Sequence, residues 1–211
     1  QGEVTAALRV VESSMILLAA PSGVDVGTER AWNMSTDHGL PRMFLVNKMD
    51  RENADFDRCV SEIQAAFGNQ CVPFQIPIGN AQDFKGVVSV IHPPADVPAE
   101  VADQMEAARE RLIEAVAETD DALADRYLEG EELTNQEVEE AVRAGILSGN
   151  LVPIVAASST DNVGVEECMA LVREFFPSPK DGVKPELATG GDGFEADPNG
   201  PLAAFVFKTT A

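Results

Sequence analysis

Three short apolar runs, each ending in a polar turn that leads into a helical pattern, constrain the fold of this chain most strongly. The runs occupy residues 14–20, 42–46 and 151–156. Short runs without polar interruption are typical of strands that are buried on both faces of a parallel sheet. Strands that alternate with helices predict an α/β fold, with a mostly parallel sheet and flanking helices.

The spacing of apolar residues predicts helices over residues 28–38, 56–67 and 163–176. Other segments interrupt this alternation. Two short extended runs are expected within residues 71–91, and one long helical stretch over 101–128. Thr134 and Glu137 then fit the spacing of a capping box before one more helix. Residues 80–148 therefore read as a mainly helical insertion in the α/β domain.

Polar residues follow directly after the second apolar run, where Asn47, Lys48, Met49 and Asp50 stand in sequence. Ligands of parallel α/β sheets bind outside the carboxyl ends of the strands. The Asp50 carboxylate can accept two parallel hydrogen bonds from guanine, whereas adenine offers no such pair of donors. Asn47 can brace the loop and reach the base edge, and the Lys48 stem can cover the ring face. The alternative is an ordinary polar turn in which Asp50 caps the next segment.

Ser158 and Ser159 follow the third apolar run and occupy a second strand end. Small residues at this position allow backbone N–H groups to approach an oxygen of a bound base. The alternative is the ordinary start of a helix, with Thr160 or Asp161 near its N-cap.

Composition excludes several classes of function. The formal net charge is −21, and a surface this acidic repels phosphate backbones, so we expect no direct non-specific binding of nucleic acid. No apolar run approaches the ~20 residues that cross a bilayer, so we expect no membrane partner. The three cysteines are widely spaced and are expected to be buried thiols.

The residues suggest no catalytic group and no metal site. The chain has only two histidines, His38 and His92, and neither has an acid–base partner that the sequence can identify. His38 precedes Gly39 at a predicted helix end, where a cationic side chain suits the helix dipole.

Several segments resemble elongation factor G, a translational GTPase. Residues 39–56 read GLPRMFLVNKMDRENADF and look like its guanine-specificity segment. Further similar stretches are VPFQIPIG at 72–79, FKGVV at 84–88, YLEGEELT at 127–134, NVGV at 162–165, FPSP at 176–179 and GPLAAFVFKT at 200–209. The resemblance spans nearly the whole chain, and these motifs are highly specific in combination.

The resemblance implies a GTP or GDP site. By this likeness, Asn47, Lys48 and Asp50 bind the base and ribose side of the nucleotide. Ser158 and Ser159 take the place of a Ser-Ala pair that completes the base pocket. Ser159 replaces the alanine, and its extra hydroxyl needs a hydrogen-bond partner.

The resemblance also divides the chain into regions. Residues 1–79 and 149–176 correspond to the C-terminal part of a P-loop GTPase G domain. Residues 80–148 correspond to its inserted subdomain, 177–200 to a linker, and 201–211 to the first strand of a β-barrel domain II.

The family implies a ribosome-dependent GTP hydrolase that works in the cytoplasm and moves tRNA and mRNA. Its inserted subdomain is associated with the ribosomal stalk protein. The stretch between Ile91 and Ala99 is shorter than is usual in the family, which favours a divergent elongation factor G-like paralogue. Ribosome-protection and release-factor GTPases are nearby alternatives.

The sequence contains no G-x-x-x-x-G-K-[ST], the loop whose backbone N–H groups, Lys and Ser/Thr hold phosphates and Mg²⁺. The chain starts at Gln1, and its last apolar residues read as part of a strand, so we expect both ends to be cuts within a longer protein. We therefore predict no GTP hydrolysis by this segment alone, and Mg²⁺ binding only together with a phosphate-binding half. A non-catalytic protein-interaction module is the alternative from another class of function.

Overall fold

The computed structural model describes residues 2–119, 121–131, 133–182, 196–200, 202 and 204–209. The helices are α1 Gly2–Leu8, α2 Val26–Asp37, α3 Phe56–Phe67, α4 Ala102–Ala117, α5 Asp121–Leu128, α6 Asn135–Ser148 and α7 Val165–Phe175. The strands are β1 Ser14–Ala19, β2 Arg42–Asn47, β3 Cys71–Pro73, β4 Gln75–Ile78, β5 Gly86–Ser89 and β6 Val152–Ala156. A short 3-10 helix, Ala81–Asp83, joins β4 to β5.

Four strands form a parallel sheet in the order β1-β2-β6-β3, which confirms the predicted α/β fold. The three apolar runs occupy neighbouring positions in this sheet, and Val46 of β2 lies opposite Ala156 of β6. The carboxyl ends of these two strands therefore meet at the same edge. The two remaining strands, β4 and β5, form a separate antiparallel hairpin.

Alternate residues of the strands belong to two apolar cores, one on each face of the sheet, because successive side chains of a strand point to opposite faces. On one face, Met43 and Leu45 pack with buried residues of α4, α6 and α7. On the other face, Phe44 and Val46 pack with buried residues of α3. The predicted apolar face of α3 is confirmed: Phe56, Cys59, Val60 and Ile63 are buried, and Phe67 packs against them as a partly buried residue.

The prediction that the first run is buried on both faces is wrong. Ile16 and Leu18 are buried, but Met15 is 37% exposed and Leu17 is 56% exposed. β1 lies at the edge of the sheet, and no described helix covers the face that carries Met15 and Leu17. The helix α1 before it has no buried residue.

The single helical stretch expected over residues 101–128 is also wrong, because α4 ends at Ala117 and α5 begins at Asp121. The capping box before α6 is confirmed. The Thr134 hydroxyl accepts a hydrogen bond from the Glu137 N–H, and the Glu137 carboxylate accepts one from the Thr134 N–H.

The predicted division at residue 80 falls between the two strands of the β4–β5 hairpin, and one apolar core includes residues from both sides of it. The domain boundaries therefore stay a prediction. Leu202 and residues 204–209 form neither helix nor strand. Residues 183–195, which make up most of the predicted linker, lie outside the described residues.

Candidate functional site

Asn47 is the last residue of β2, and its side chain ties two loops together. Its Oδ1 accepts hydrogen bonds from the Lys48 N–H at 2.8 Å and from the Ser159 N–H and Oγ–H at 3.0 Å each. The extra hydroxyl of Ser159 thus has its partner. Within the part of the chain that the structure describes, Asn47 Nδ2 has no hydrogen-bond partner.

In the loop after β2, Lys48 and Asp50 stand on either side of Met49, which anchors the loop. Met49 is fully buried, and its N–H donates to the Ala157 carbonyl at 3.2 Å. Lys48 has a backbone φ of +63°, in the left-handed region that non-glycine residues rarely occupy. Its side chain is exposed and makes no ion pair with any described residue.

Asp50 is held by one strong contact and one weak contact. Its Oδ1 accepts a 2.7 Å hydrogen bond from the Ser158 hydroxyl, and its Oδ2 lies 3.3 Å from Arg51 Nε. The Arg51 side chain is 63% exposed, and exposed ion pairs contribute little, so a ligand can displace it. Carboxylate oxygens each have two lone pairs, which leaves Asp50 able to accept further hydrogen bonds.

Ser158 is fully buried beneath this carboxylate. Its backbone exchanges two hydrogen bonds with Val163, of 2.9 and 3.1 Å, which close the loop of residues 158–163. Its Oγ accepts the Asp161 N–H at 3.2 Å and lies 3.3 Å from Asp161 Oδ2. Since the hydroxyl has one proton, the shorter contact identifies Asp50 as its acceptor.

The loop ends at Gly164, which is the N-cap of α7 and has a φ of +76°. A Cβ at this position would lie 2.5 Å from the Ala156 carbonyl oxygen. The helix start that the sequence offered as an alternative, with Thr160 or Asp161 near the N-cap, does not occur. Instead, the serines lie in a compact loop that contacts residues 47–50.

A third loop, which follows β1, packs beside the site and was missed by the sequence analysis. The Ala20 N–H donates to the Asn47 carbonyl at 2.8 Å. Arg58 of α3 donates to the Ala20 and Pro21 carbonyls at 2.8 and 2.9 Å, and Glu62 accepts the Val24 N–H at 2.9 Å. The only sequence signal was that this loop, too, follows an apolar run.

The structure thus brings all five predicted site residues to one edge of the sheet. Other reactive side chains lie elsewhere and suggest no chemistry. Cys59, Cys71 and Cys168 are free and buried, as expected. Burial raises the pKa of the Cys59 thiol to about 11 and that of the Cys71 thiol to about 12, so both remain protonated at neutral pH.

Both histidines make structural contacts. His38 caps the end of α2, and its Nδ1 lies 2.8 Å from the Met34 carbonyl. His92 lies between two carboxylates, with Nε2 2.9 Å from Glu174 and Nδ1 3.6 Å from Glu139. A cleft of about 410 Å³ lies away from the site, lined mainly by α5 and α6 residues that include Arg126 and Glu137.

The family profile described as Elongation factor Tu GTP binding domain matches residues 1–178. The chain therefore belongs to this family of guanine-nucleotide-binding domains of translational GTPases. A crystal structure of the Thermus thermophilus protein ttk003000868 is similar to this chain, with 32% sequence identity and a TM-score of 0.77. The match covers 85% of this chain but 29% of that protein, so the chain spans less than a third of the relative's length.

No helix among the described residues has the length and apolar character needed to cross a membrane.

Proposed function

We propose that Asn47, Lys48, Asp50, Ser158 and Ser159 form the guanine-recognising part of a GTP or GDP site. The observation that carries this proposal is the 2.7 Å hydrogen bond from Ser158 to Asp50. It fixes a carboxylate at the joint carboxyl ends of β2 and β6, where ligands of parallel sheets bind. The family to which the chain belongs supports the assignment.

Each residue then has a chemical role toward the base. The Asp50 carboxylate accepts the N1–H and the exocyclic amine of guanine in two charge-assisted hydrogen bonds. Asn47 Nδ2, which has no partner among the described residues, donates to the base edge. The exposed Lys48 stem covers the ring face.

The base oxygen needs a donor from the loop of residues 158–163. The Ser159 N–H already donates to Asn47, so a base oxygen shares this donor. The Thr160 N–H, next along the loop, makes no hydrogen bond to a described residue and is a second candidate.

We further propose that the parent protein is an elongation factor G-like, ribosome-dependent GTPase of the cytoplasm that acts in translocation. The resemblance of residues 39–56 and the family match support this assignment. Phosphate and Mg²⁺ binding belong to a phosphate-binding half that these 211 residues do not contain. The region of residues 80–148 is the proposed contact for the ribosomal stalk protein. The segment alone then binds nucleotide weakly and hydrolyses no GTP.

Selectivity between nucleotides tests the base site directly. The amide resonances of the ¹⁵N-labelled chain are followed during titrations with GDP, ADP and xanthosine diphosphate. We expect GDP, but not ADP, to shift Asn47, Asp50 and Ser159. Asp50→Asn should reverse the preference toward xanthosine diphosphate, because the asparagine amide can donate to the 2-oxo group of xanthine.

The matched control is Asp161→Asn, which removes a carboxylate beside the same Ser158 without touching the base-reading group. It should keep the preference for GDP. Equal shifts with GDP and ADP in the unmodified chain would refute the guanine site. Turnover of GTP by the purified chain would refute the prediction that the segment is inactive.

A further inference from the structure

Gln75 is a buried polar residue to which the proposed function assigns no role. It is the first residue of β4 and is only 2% exposed. It lies where the chain leaves the parallel sheet, two residues after β3 ends at Pro73. The last backbone hydrogen bond from this segment to β6 is the one from the Phe74 N–H to the Ile154 carbonyl, at 2.9 Å.

On the β3 side of β6, the backbone hydrogen bonds between the two strands stop one short of the end of β6. In a regular parallel pair, the Phe74 carbonyl would next accept the Ala156 N–H. Instead, that carbonyl accepts the Val90 N–H at 2.9 Å, because the chain has turned into the β4–β5 hairpin. A buried backbone N–H without an acceptor is unfavourable. The Gln75 side chain fills the gap, since its Oε1 accepts the Ala156 N–H at 3.3 Å.

The end of β6 is therefore held from two sides by different means. On the β2 side, the Ala157 N–H donates to the Val46 carbonyl at 3.0 Å, and the Ala157 carbonyl accepts the Met49 N–H at 3.2 Å. On the other side, Gln75 supplies the hydrogen bond to Ala156. Ser158, which orients Asp50, follows these two alanines directly.

We propose that Gln75 is a positioning residue that fixes the end of β6 and, through it, the Ser158 loop that orients Asp50. Its effect on nucleotide selectivity rests on the guanine site proposed above. Gln75 also pairs with Ser89 in the hairpin register, so it ties the β4–β5 hairpin to the base-binding edge of the sheet.

Local hydrogen exchange tests this role without any nucleotide. In Gln75→Leu, the Ala156 amide should exchange about tenfold faster than in the unmodified chain, after correction for global stability. The Ser158 and Ser159 amide resonances should shift with it. In Gln75→Glu, which keeps an oxygen acceptor at the same place, Ala156 should retain its protection.

Gln64→Leu is the matched control. Gln64 also makes one side-chain-to-backbone hydrogen bond, from Nε2 to the Cys71 carbonyl at 2.9 Å, but at the opposite end of β3. This variant should leave Ala156 exchange and the serine resonances unchanged. If Gln75→Leu does not fold, Gln75→Asn replaces it, because it keeps an amide but withdraws the oxygen from Ala156.

A second measurement separates positioning from general stability. The ratio of GDP to ADP affinity should fall several-fold in Gln75→Leu and stay unchanged in Gln64→Leu. The proposal is overturned if Ala156 exchange, the serine resonances and the selectivity ratio of the two variants are the same. If the unmodified chain shows no preference for GDP, the guanine site fails, and Ala156 exchange alone still decides whether Gln75 holds the loop.

Discussion

The side-chain oxygen of Asn47 accepts two hydrogen bonds from Ser159, one from its N–H and one from its hydroxyl, each 3.0 Å long. The two residues are 112 positions apart in the chain and follow the adjacent strands β2 and β6. Asn47 therefore crosslinks the two loops that carry the proposed base-binding residues.

Removal of this crosslink should destabilise the chain. Asn47→Ala loses these two hydrogen bonds and the one from the Lys48 N–H, and it leaves the Ser159 N–H without its partner, so we expect a loss of about 1–3 kcal/mol of unfolding free energy. Ser159→Ala removes only the hydroxyl and should cost about 0.5–1.5 kcal/mol. Urea denaturation measures both. Equal losses in the two variants would show that the hydrogen bonds from the two backbone N–H groups, of Lys48 and Ser159, contribute nothing.

The sequence predicted which side chains meet at this edge, because residues after neighbouring parallel strands converge there. It did not predict how they meet. The contacts of Asn47 with Ser159 and of Ser158 with Asp50 depend on how deeply each loop is packed. That depth is set by Met49 and by the bend at Gly164, whose positions a local pattern does not reveal.

Gly164 should tolerate no side chain. An alanine there would combine a φ of +76° with a Cβ 2.5 Å from a backbone oxygen, so we expect Gly164→Ala to cost more than about 2 kcal/mol. Gly39 is the matched control, since its φ is +64° but nothing lies within 4 Å of its Cβ position. Gly39→Ala should cost about 1 kcal/mol. Thermal unfolding measures the stability of both variants. Similar losses would mean that the loop around residue 164 moves aside for the added Cβ.

Lys48 should show opposite effects on stability and on binding. Its left-handed backbone costs roughly 1–2 kcal/mol, part of which Lys48→Gly recovers, so the variant should be as stable as the unmodified chain or slightly more so. Its affinity for GDP should fall, because no stem then covers the base. Ala81, with a φ of +49°, lies outside the proposed site and is the control. Ala81→Gly should change the unfolding free energy similarly and leave the affinity for GDP unchanged. Denaturation measures the unfolding free energy, and titration with GDP measures the affinity.

The strands and most helices follow from local chemistry, whereas burial and long-range contacts do not. The Thr134–Glu137 capping box was readable because a capping box depends on two residues that are three positions apart. The exposure of Met15 and Leu17 was not readable. An apolar run looks the same whether or not a helix covers its second face.

The role of Gln75, a polar residue, could not be predicted from a local sequence pattern either. The sequence shows the segment 72–79 that contains Gln75. However, an amide that replaces a missing backbone carbonyl can be identified only once the course of the backbone around Phe74 and Val90 is known. Side chains that complete a backbone ladder leave no periodic pattern in the sequence.

The ion pair between Arg126 and Glu137 should make stability depend on pH in the acid range. The Arg126 hydrogen bond, with those from Thr134, lowers the pKa of Glu137 from 4.5 to about 2. A carboxyl whose pKa is lower in the folded state stabilises the fold above the unfolded-state pKa, and this contribution is lost as the pH falls. The contribution of Glu137 should therefore be complete at neutral pH and disappear between pH 4.5 and 2.

Glu137→Gln keeps an oxygen for the capping box but removes the charge. Its melting temperature should lie below that of the unmodified chain at pH 7, and the difference should shrink as the pH falls toward 2. Glu140→Gln removes the same charge from the same helix, at a residue that accepts a hydrogen bond from Gln136 instead of an arginine, and should change the melting temperature at pH 7 much less. A difference for Glu137→Gln that stays constant from pH 7 to pH 2 would mean that the ion pair adds nothing to the stability of the helices α5 and α6.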